Sequence, residues 1–108
     1  MSHKPVTIYA LAASDEPGKF RYVGMTTDLE RRRKAHKQGK GSLAKAYRAW
    51  AREACARGAT IQLTVLEAQI PNPHRIAVES AWIQRLRSEG CILVNTVKYY
   101  GWAGRPAA

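Results

Sequence analysis

An arginine and a histidine stand four residues apart in a very basic segment of the chain, where they could act together on a phosphate group. Residues 28–38 are predicted to form a helix, and Leu29 is the only large apolar residue in it, so Leu29 marks the face that packs inward. Arg32 and His36 follow Leu29 by three and seven residues, so they share its face and are neighbours on the helix. This spacing can deliver a cation and a titratable base to one cleft. Composition alone favours another interpretation, a solvated basic surface.

A carboxylate falls on the apolar face of the third predicted helix. On a helical wheel the apolar stripe consists of Ile76, Trp82, Ile83 and Leu86. Glu79 lies inside this stripe, between Ile76 and Ile83. An inward-facing carboxylate is costly unless a cation or a metal ion meets it. Glu79 is therefore either a metal ligand or one half of a structural pair with an arginine, and its position fits both interpretations equally.

Two tyrosines place hydroxyl groups on the predicted strands. Tyr9 interrupts an otherwise apolar run, and Tyr22 directly precedes Val23 and Gly24. Tyrosine in a strand usually serves packing. If the two strands pair as a hairpin and bring both rings to one cleft, the two hydroxyls could contact the same ligand.

The remaining acidic residues limit the kind of metal site that is possible. They stand in a turn, at a helix cap or at positions that look exposed: Asp15, Glu16, Asp28, Glu30, Glu53, Glu67 and Glu89. A two-metal nuclease needs several convergent carboxylates, and only Glu79 is placed to bind a metal. The chain also lacks the GxxxxGK[ST], GxGxxG and HExxH motifs. A catalytic site here would use one metal ion, with organic side chains supplying the rest.

The charge balance indicates a polyanionic partner. Eighteen Lys and Arg oppose eight Asp and Glu, which gives a formal net charge of +10 and a pI near 10.1. Nucleic acid is the leading candidate, because such an imbalance otherwise only adds self-repulsion. An anionic membrane surface is the rival, but no predicted helix pairs a basic face with a strongly apolar one. Solubility alone explains the charge less well, since either sign would serve.

Most of the candidate phosphate contacts lie on or near the first two predicted helices. They are Arg31, Arg33, Lys34, Lys37, Lys40, Lys45, Arg48 and Arg52. The C-terminal tail adds a second group, Lys98, Tyr99, Tyr100 and Trp102, which could stack on unpaired bases. Packing of that group against the domain is the alternative, and we favour it slightly.

Hydrophobic periodicity and turn residues predict the elements that carry these groups. Residues 6–12 and 20–23 are predicted strands joined by the turn 14–19, so they should form an antiparallel hairpin. The helix 28–38 begins with a capping box, T-x-x-E, at Thr27 to Glu30. A second helix is capped by Ser42 and ends near Arg57, before Gly58, and a third strand follows with alternating Ile61, Leu63 and Val65. The third helix has Asn72 as its N-cap and Pro73 at its first position, runs to about Ser88 and stops at Gly90. Residues 92–95 are predicted to form a short strand or extended segment.

This order, β-β-α-α-β-α plus a short extended C-terminal tail, predicts a small α/β (α+β) domain. Its sheet should be mainly antiparallel and covered by helices. The 108 residues suit one domain, and no linker or internal repeat is evident. We expect residues 1–4 and 103–108 to be mobile.

The cysteines and the N-terminus predict an intracellular, cytoplasmic protein. Cys55 and Cys91 are far apart and form no CxxC pair, so we expect free thiols in a reducing compartment. The N-terminus resembles a signal peptide only weakly, because Tyr9 interrupts its short apolar run. No apolar stretch approaches the length that a bilayer requires.

Together these segments resemble the GIY-YIG nuclease family. TIY at 7–9 and YVG at 22–24 are similar to the paired signature that names the family. MTTDLERRRKAH at 25–36 is similar to the family pattern x-T-x-(N/D)-L-x-x-R-x-x-x-H. VESAWIQRLRSEGCILVN at 78–95 resembles the family's glutamate-bearing helix and the asparagine that follows it. The likeness covers nearly the whole chain in order. Thr7 replaces the first glycine, at a position that is variable in the family and supplies no catalytic group.

The resemblance implies a central three-stranded antiparallel sheet flanked by helices, and it implies roles for six residues. Arg32 and His36 take the places of the catalytic arginine and histidine, Glu79 that of the metal-binding glutamate and Asn95 that of the asparagine. Tyr9 would be the general base assisted by His36, and Tyr22 would hydrogen-bond the phosphate or the attacking water. The cofactor would be one divalent metal ion, Mg²⁺ or Mn²⁺, bound by Glu79.

Elementary acid–base chemistry leaves the identity of the base open. The reference pKa of tyrosine is about 10, so Tyr9 needs help from Arg32 and the metal ion, whereas that of histidine is about 6.5. His36 could therefore accept the proton directly. Asn95 would have a supporting role, orienting groups around the metal or bracing the helix.

Three functions compete at this level. The first is a metal-dependent DNA endonuclease with a one-metal mechanism, acting on duplex or branched DNA. The second is a catalytically silent DNA-binding module, which has no need of an inward-facing Glu79. The third is an RNA-directed nuclease or RNA-binding protein. The chain has no room for a separate recognition domain, so specificity would come from loops, the tail, a homodimer or a separate partner.

Overall fold

The structure, a computed structural model, describes residues 4–37 and 45–94, without the side chains of residues 36, 37, 45 and 46. Within these ranges the chain forms three β-strands, three α-helices and one turn of 3₁₀ helix. In chain order they are β1 (Val6–Ala13), β2 (Tyr22–Thr26), α1 (Leu29–Lys37), α2 (Lys45–Ala56), β3 (Ile61–Ile70), the 3₁₀ turn (Asn72–His74) and α3 (Arg75–Ser88). This order confirms the predicted α+β class and the sequence of elements.

The described strands form one antiparallel sheet in the order β2-β1-β3. The hairpin of β1 and β2 pairs Tyr9 with Gly24 and Leu11 with Tyr22. On the other side of β1, Tyr9 pairs with Val65 of β3. The central strand therefore carries Tyr9 in the middle of the sheet, with a glycine beside it on β2.

The two faces of the sheet bury two separate cores. Ile8 and Ala10 face α3 and pack in one cluster with Ile83 and Leu86. Tyr9 and Leu11 face the opposite side, where the cluster includes Tyr47, Trp50 and Ala54 of α2. Because both faces of β1 are covered, its sequence is apolar throughout, as expected for a central strand. Full burial of a side chain such as Ile8 contributes about 1.5–3 kcal/mol to folding.

The hairpin is displaced along the sequence from its predicted position. The second strand was expected at 20–23, but β2 spans Tyr22–Thr26 and runs through Gly24. Its last residues pair with the start of β1, Thr26 opposite Thr7 and Met25 opposite Ile8. Pairing with β1 therefore overrides the tendency of glycine to interrupt a strand, which is the physical reason for the error.

The start of α1 is capped by Asp28, and the predicted role of Thr27 is wrong. The Asp28 Oδ1 atom accepts a hydrogen bond from the Arg31 backbone N–H at 3.2 Å. Thr26 Oγ1 accepts one from the Asp28 N–H at 3.0 Å, which fixes the turn that leads into the helix. An aspartate at this position also meets the positive end of the helix dipole. The helix begins at Leu29, one residue later than predicted.

The third helix also begins differently from the prediction. Asn72 and Pro73 start a 3₁₀ turn, and α3 itself begins at Arg75. No side chain caps either element, so the prediction of Asn72 as an N-cap is wrong. Its side chain instead accepts a hydrogen bond from Arg75 Nη1 at 2.9 Å. Ile76, assigned to the apolar stripe, is 46% exposed, so the buried face of α3 starts at Glu79.

The ends of α2 and α3 agree with the predicted glycine stops. Gly58 and Gly90 have φ angles of 87° and 100°, the left-handed region that glycine enters without strain. Residue 59 then bonds back to Ala54, and Cys91 donates to the Leu86 carbonyl at 2.9 Å. Beyond this point residues 91–94 form no strand, although the Val94 N–H donates to the Arg21 carbonyl at 2.6 Å. The predicted cap Ser42 lies outside the described residues, as do residues 1–3 and 103–108 of the predicted mobile ends.

The third strand is longer than its alternating residues indicated. The alternation of Ile61, Leu63 and Val65 predicted its first half, and β3 continues to Ile70. The second half has register irregularities around Ile8, and Gln69 has a positive φ of 58°. No helix of the described residues is both long and apolar enough to cross a bilayer.

Candidate active site

The pairing of Tyr9 with Gly24 creates the centre of the site. A Cβ atom on Gly24 would lie 2.5 Å from Cζ of Tyr9 and 2.9 Å from Cε2 of Tyr22, with the Tyr9 hydroxyl closer still. The Tyr9 ring therefore lies directly over the backbone of β2, in space that any other residue at position 24 would fill. The glycine of the YVG segment is required for room, because the tyrosine rings occupy the place of its side chain.

Three tyrosines from β1, β2 and α2 pack in a row. The ring centroids of Tyr9 and Tyr22 are 6.4 Å apart, and those of Tyr22 and Tyr47 are 5.4 Å apart. Both spacings are in the range of favourable tilted aromatic pairs. Tyr9 and Tyr47 are buried, at 1% and 3% exposure. The sequence predicted Tyr9 and Tyr22 as site residues, and the hairpin does bring them together.

Tyr47 is the neighbour that sequence analysis did not identify. In the sequence it stands three residues before Trp50 in the predicted second helix, a spacing that is typical of an apolar packing face. The structure agrees that it packs, since the Tyr47 and Trp50 ring centroids are 5.7 Å apart. Nothing in the sequence distinguishes this tyrosine from an ordinary core aromatic, because its proximity to Tyr22 depends on how α2 crosses the sheet.

The electrostatic surroundings of Tyr9 connect it to Arg32 and Glu79. Burial raises the pKa of the Tyr9 phenol well above its ordinary value, and the nearby Tyr22 phenol raises it further. The Arg32 guanidinium lowers this pKa, and the Glu79 carboxylate raises it. Charged groups on α1 and α3 therefore both influence the pKa of the Tyr9 phenol on β1. At neutral pH the Tyr9 hydroxyl is protonated and is a hydrogen-bond donor.

The pKa of Tyr47 is raised as well. Burial raises its pKa to about 12, with a further contribution from the Tyr22 phenol. Tyr22 is thus the common neighbour of both buried phenols.

Glu79 is the buried charged residue of the described part of the chain, at 3% exposure. It lies in the second turn of α3, whose later residues Ile83 and Leu86 fill the core. The sequence left open whether Glu79 is a metal ligand or part of a structural pair. Within the described residues no buried side-chain nitrogen or oxygen lacks a hydrogen-bond partner, so its burial is supported by its surroundings.

The donor set at this site suits a hard divalent cation. In the described ranges no three His, Cys, Asp or Glu residues converge, so a metal ion would have Glu79 as its carboxylate ligand. Mg²⁺ commonly keeps several waters and binds through one or two carboxylates together with substrate phosphates. A single buried carboxylate beside phenol hydroxyls fits that mode of binding.

Arg32 is positioned by the capped first turn of α1. Its backbone N–H donates to the Asp28 carbonyl at 3.1 Å, and its half-buried side chain lowers the pKa of Tyr9. The backbone of His36 lies one turn further along the same helix. The side chain of His36 and the whole of Asn95 lie outside the described residues, so their assignments stay predictions.

The candidate phosphate contacts divide into distinct environments. Arg31, Lys34, Arg48 and Arg52 are exposed. Arg33 is half-buried, and its Nε atom lies 3.8 Å from Glu30 Oε2, so part of its charge is neutralised. Lys40 and the side chains of Lys37 and Lys45 lie outside the described residues, as does the aromatic tail group at 98–102.

Comparison with known proteins assigns the chain to a family. The model of the GIY-YIG catalytic domain matches residues 6–91, which is most of the chain. No curated protein and no solved structure matched the chain. The chain belongs to the GIY-YIG family, a family of nucleases that act on DNA and generally use a divalent metal. The matched range contains Tyr9, Tyr22, Arg32, His36 and Glu79, and it ends before Asn95.

Proposed function

We propose that this protein is a DNA endonuclease that hydrolyses phosphodiester bonds with one divalent metal ion. The observation that carries the proposal is that two charged groups influence the same buried phenol. The Arg32 guanidinium lowers the pKa of Tyr9 and the Glu79 carboxylate raises it, and the Tyr9 ring is buried against β2. A protein that only binds DNA has no need of a carboxylate at 3% exposure. Membership of a nuclease family supports the same conclusion.

Glu79 is the residue that would hold the metal ion. The bound ion, Mg²⁺ or Mn²⁺, would polarise the scissile phosphate and stabilise charge on the leaving 3′ oxygen. Glu79 sits on a helix whose next turns are locked in the core through Ile83 and Leu86. Its carboxylate is therefore held in place before substrate arrives, which reduces the cost of organising the site.

Arg32 would pair with a non-bridging oxygen of the phosphate. Its planar guanidinium can form two parallel hydrogen bonds to phosphate, and it stays charged at every relevant pH. The Arg32 guanidinium lowers the pKa of Tyr9, so the two groups lie in the same neighbourhood, and in this proposal they contact one phosphate together. Negative charge that develops on the phosphate would then be stabilised by the arginine and the phenol.

The raised pKa of Tyr9 favours His36 as the general base. A phenol that remains protonated cannot accept the proton of the attacking water, and a phenol can donate a hydrogen bond to a phosphate oxygen or to that water. His36 has a reference pKa near ~6.5 and needs no comparable shift. We therefore assign Tyr9 and Tyr22 to orienting and hydrogen bonding, His36 to proton transfer and Asn95 to support.

Substrate binding would be dominated by contacts to the DNA backbone. The exposed cations Arg31 and Lys34 lie on α1 with Arg32, and Arg48 lies on α2 directly after Tyr47. Each phosphate contact that releases a counterion should add roughly 0.9 to the slope of log affinity against log salt. One site cuts one strand, so a double-strand break would need a homodimer, a separate partner or two successive nicks.

A cytoplasmic location is consistent with the thiols. Cys55 is exposed, Cys91 is partly buried, and both are free. Free thiols persist in a reducing compartment.

A cleavage comparison tests the proposed activity. Purified protein is incubated with supercoiled plasmid and, separately, with labelled RNA of mixed structure, in Mg²⁺, in Mn²⁺ and in EDTA. We expect nicked plasmid with either metal and none in EDTA. Binding without nicking would support the alternative of a catalytically silent DNA-binding module. Cleavage confined to RNA would support the alternative of an RNA-directed nuclease.

A further inference from the structure

A groove of about 530 Å³ opens between the first turn of α1 and the 3₁₀ turn that precedes α3. Two of its arginines, Arg31 and Arg32, come from α1, and a third, Arg75, comes from the first residue of α3. Arg32 also acts on the Tyr9 phenol. The groove is therefore continuous with the proposed catalytic site through Arg32.

The groove is electropositive. Its acidic residue is Asp28, and that carboxylate already accepts the Arg31 backbone N–H as the cap of α1. The ion pairs formed among the described residues involve Arg33, Arg57 and Arg85 and none of the three groove arginines. Three guanidinium groups thus face one carboxylate, and an anionic ligand would balance them.

Arg75 is held in position by its own turn. Its Nη1 atom donates to the main-chain carbonyl of Asn72 at 3.0 Å and to the Asn72 side-chain oxygen at 2.9 Å. The Asn72 Nδ2 atom in turn donates to the Lys4 carbonyl at 3.4 Å, which ties this turn to the chain before β1. These bonds use one nitrogen of the guanidinium. Its Nε and Nη2 donors remain in a fixed orientation, as phosphate recognition requires.

The chemistry of the groove fits a phosphate better than a base. Apart from its polar groups, its walls are small or aliphatic side chains such as Val6, Met25 and Ala35, and no aromatic ring of the described residues lines it. Unpaired bases are usually bound by stacking on aromatic rings. Thr27 adds a hydroxyl, a group that binds phosphates as well.

We propose that this groove binds the DNA phosphate next to the scissile one and that Arg75 is the residue that positions it. The proposal rests on the proposed function, since it takes the scissile phosphate to lie at Arg32 and Tyr9. Successive phosphates of one strand are about 3.4 Å apart along the helix axis, so the phosphate next to one bound at Arg32 is close enough to enter the same groove. Arg75 lines this groove from the side of the 3₁₀ turn, across from Arg31 and Arg32 of α1.

The test compares Arg75→Gln with Arg85→Gln. The glutamine at position 75 keeps an amide donor for Asn72 and removes the charge, and Arg85 is an exposed cation near the other end of the same helix. Affinity for a fluorescent DNA duplex is measured by anisotropy in EDTA across a salt series, and plasmid nicking is measured with Mn²⁺. Arg75→Gln should lose several-fold in affinity and about 0.9 of the salt slope. KM should rise with little change in kcat, and Arg75→Lys, which restores the charge but not the planar fork, should recover the salt slope.

A single neutral methylphosphonate, moved along the duplex, locates the phosphate. One position should weaken binding by wild type and have no effect on Arg75→Gln. If Arg75→Gln and Arg85→Gln match in affinity, salt slope and methylphosphonate response, the proposal is wrong. If Arg75→Gln loses activity only in proportion to its unfolded fraction, with the salt slope unchanged, Arg75 is merely structural and the proposal is again wrong. If the Arg75-dependent slope appears but no DNA is ever nicked, the proposed function fails, and the groove is a DNA phosphate site without a scissile neighbour.

Discussion

Replacing Gly24 with alanine should destabilise the protein and disable its site, because β2 has no room for a side chain there. The new Cβ would lie 2.5 Å from Cζ of Tyr9, well under the 3.0 Å that real Cβ atoms keep. The Tyr9 ring must therefore move, and at 1% exposure it can move only by repacking the core. Overpacking of this kind costs about 1–3 kcal/mol in the free energy of unfolding. Nicking should be lost together with the position of the phenol.

A double-mutant cycle isolates this contact. Tyr9→Leu removes Cζ and the hydroxyl, the two atoms that the new Cβ would approach most closely, and leaves Cε2 of Tyr22 at 2.9 Å. In that background Gly24→Ala should cost clearly less than in wild type, and the coupling, measured by urea unfolding followed by circular dichroism, should be roughly 0.5–3 kcal/mol. Gly18→Ala is the control: its φ is 85° and it has no atom within 4 Å of the new Cβ. It should be strained by about 1–2 kcal/mol without coupling to Tyr9. An equal cost of Gly24→Ala in both backgrounds would refute the reasoning.

Three further predictions concern neighbouring residues. Arg32→Ala should reduce the nicking rate roughly a hundred- to a thousand-fold while largely sparing DNA binding, and Arg31→Ala should mainly weaken binding; equal effects in the two assays would contradict the division between them. Asp28→Ala should lower the free energy of unfolding by about 0.5–2 kcal/mol through loss of the α1 cap. Thr27→Ala should lower it much less. If the urea midpoints show the reverse order, Thr27 is the cap, as the sequence predicted. Because the pKa of Tyr47 is raised to about 12 in the folded protein, its stabilisation is complete below the unfolded pKa of 10.0 and is lost as pH rises toward 12. The fall is at most roughly 2–3 kcal/mol and is reduced by residual hydration of the hydroxyl, and urea midpoints of Tyr47→Phe should show a smaller decline over that interval than those of wild type.

The sequence was most informative where hydrophobic periodicity placed a residue on a buried face and that residue was polar. Glu79 stood among apolar positions of α3, and the structure buries it. Tyr9 stood in an apolar strand, and the structure places it against Gly24 at the centre of the sheet. A polar residue on a buried face is costly, so such residues remain only where something compensates for them, and this made them recognisable without a structure.

Element order was predictable, but several boundaries were set by contacts distant in sequence. The end of β2 depends on pairing with residues 7–9, and the second half of β3 depends on pairing with the start of β1. Local propensity does not contain this information. The start of α3 was misplaced because Asn72 has a second use, bonding Arg75, that its side-chain chemistry equally permits.

Tyr47 and Arg75 were missed for a related reason. Each has an ordinary explanation in its own segment, Tyr47 as a packing residue and Arg75 as one more cation among eighteen Lys and Arg. Only the crossing of α2 over the sheet brings Tyr47 to Tyr22, and only the 3₁₀ turn places Arg75 opposite α1. Such juxtapositions come from tertiary packing and have no local signal.

Glu79→Gln gives the most direct test of the central claim, that a buried carboxylate gives this domain nuclease activity. Plasmid nicking in Mn²⁺ and duplex binding in EDTA are measured for wild type, Glu79→Gln and the control Glu89→Gln, which makes the same change at an exposed position just after α3. The account predicts that Glu79→Gln binds DNA as wild type does and fails to nick it, while Glu89→Gln does both. Nicking by Glu79→Gln at the wild-type rate, or no nicking by wild type with either metal despite tight binding, would contradict the account.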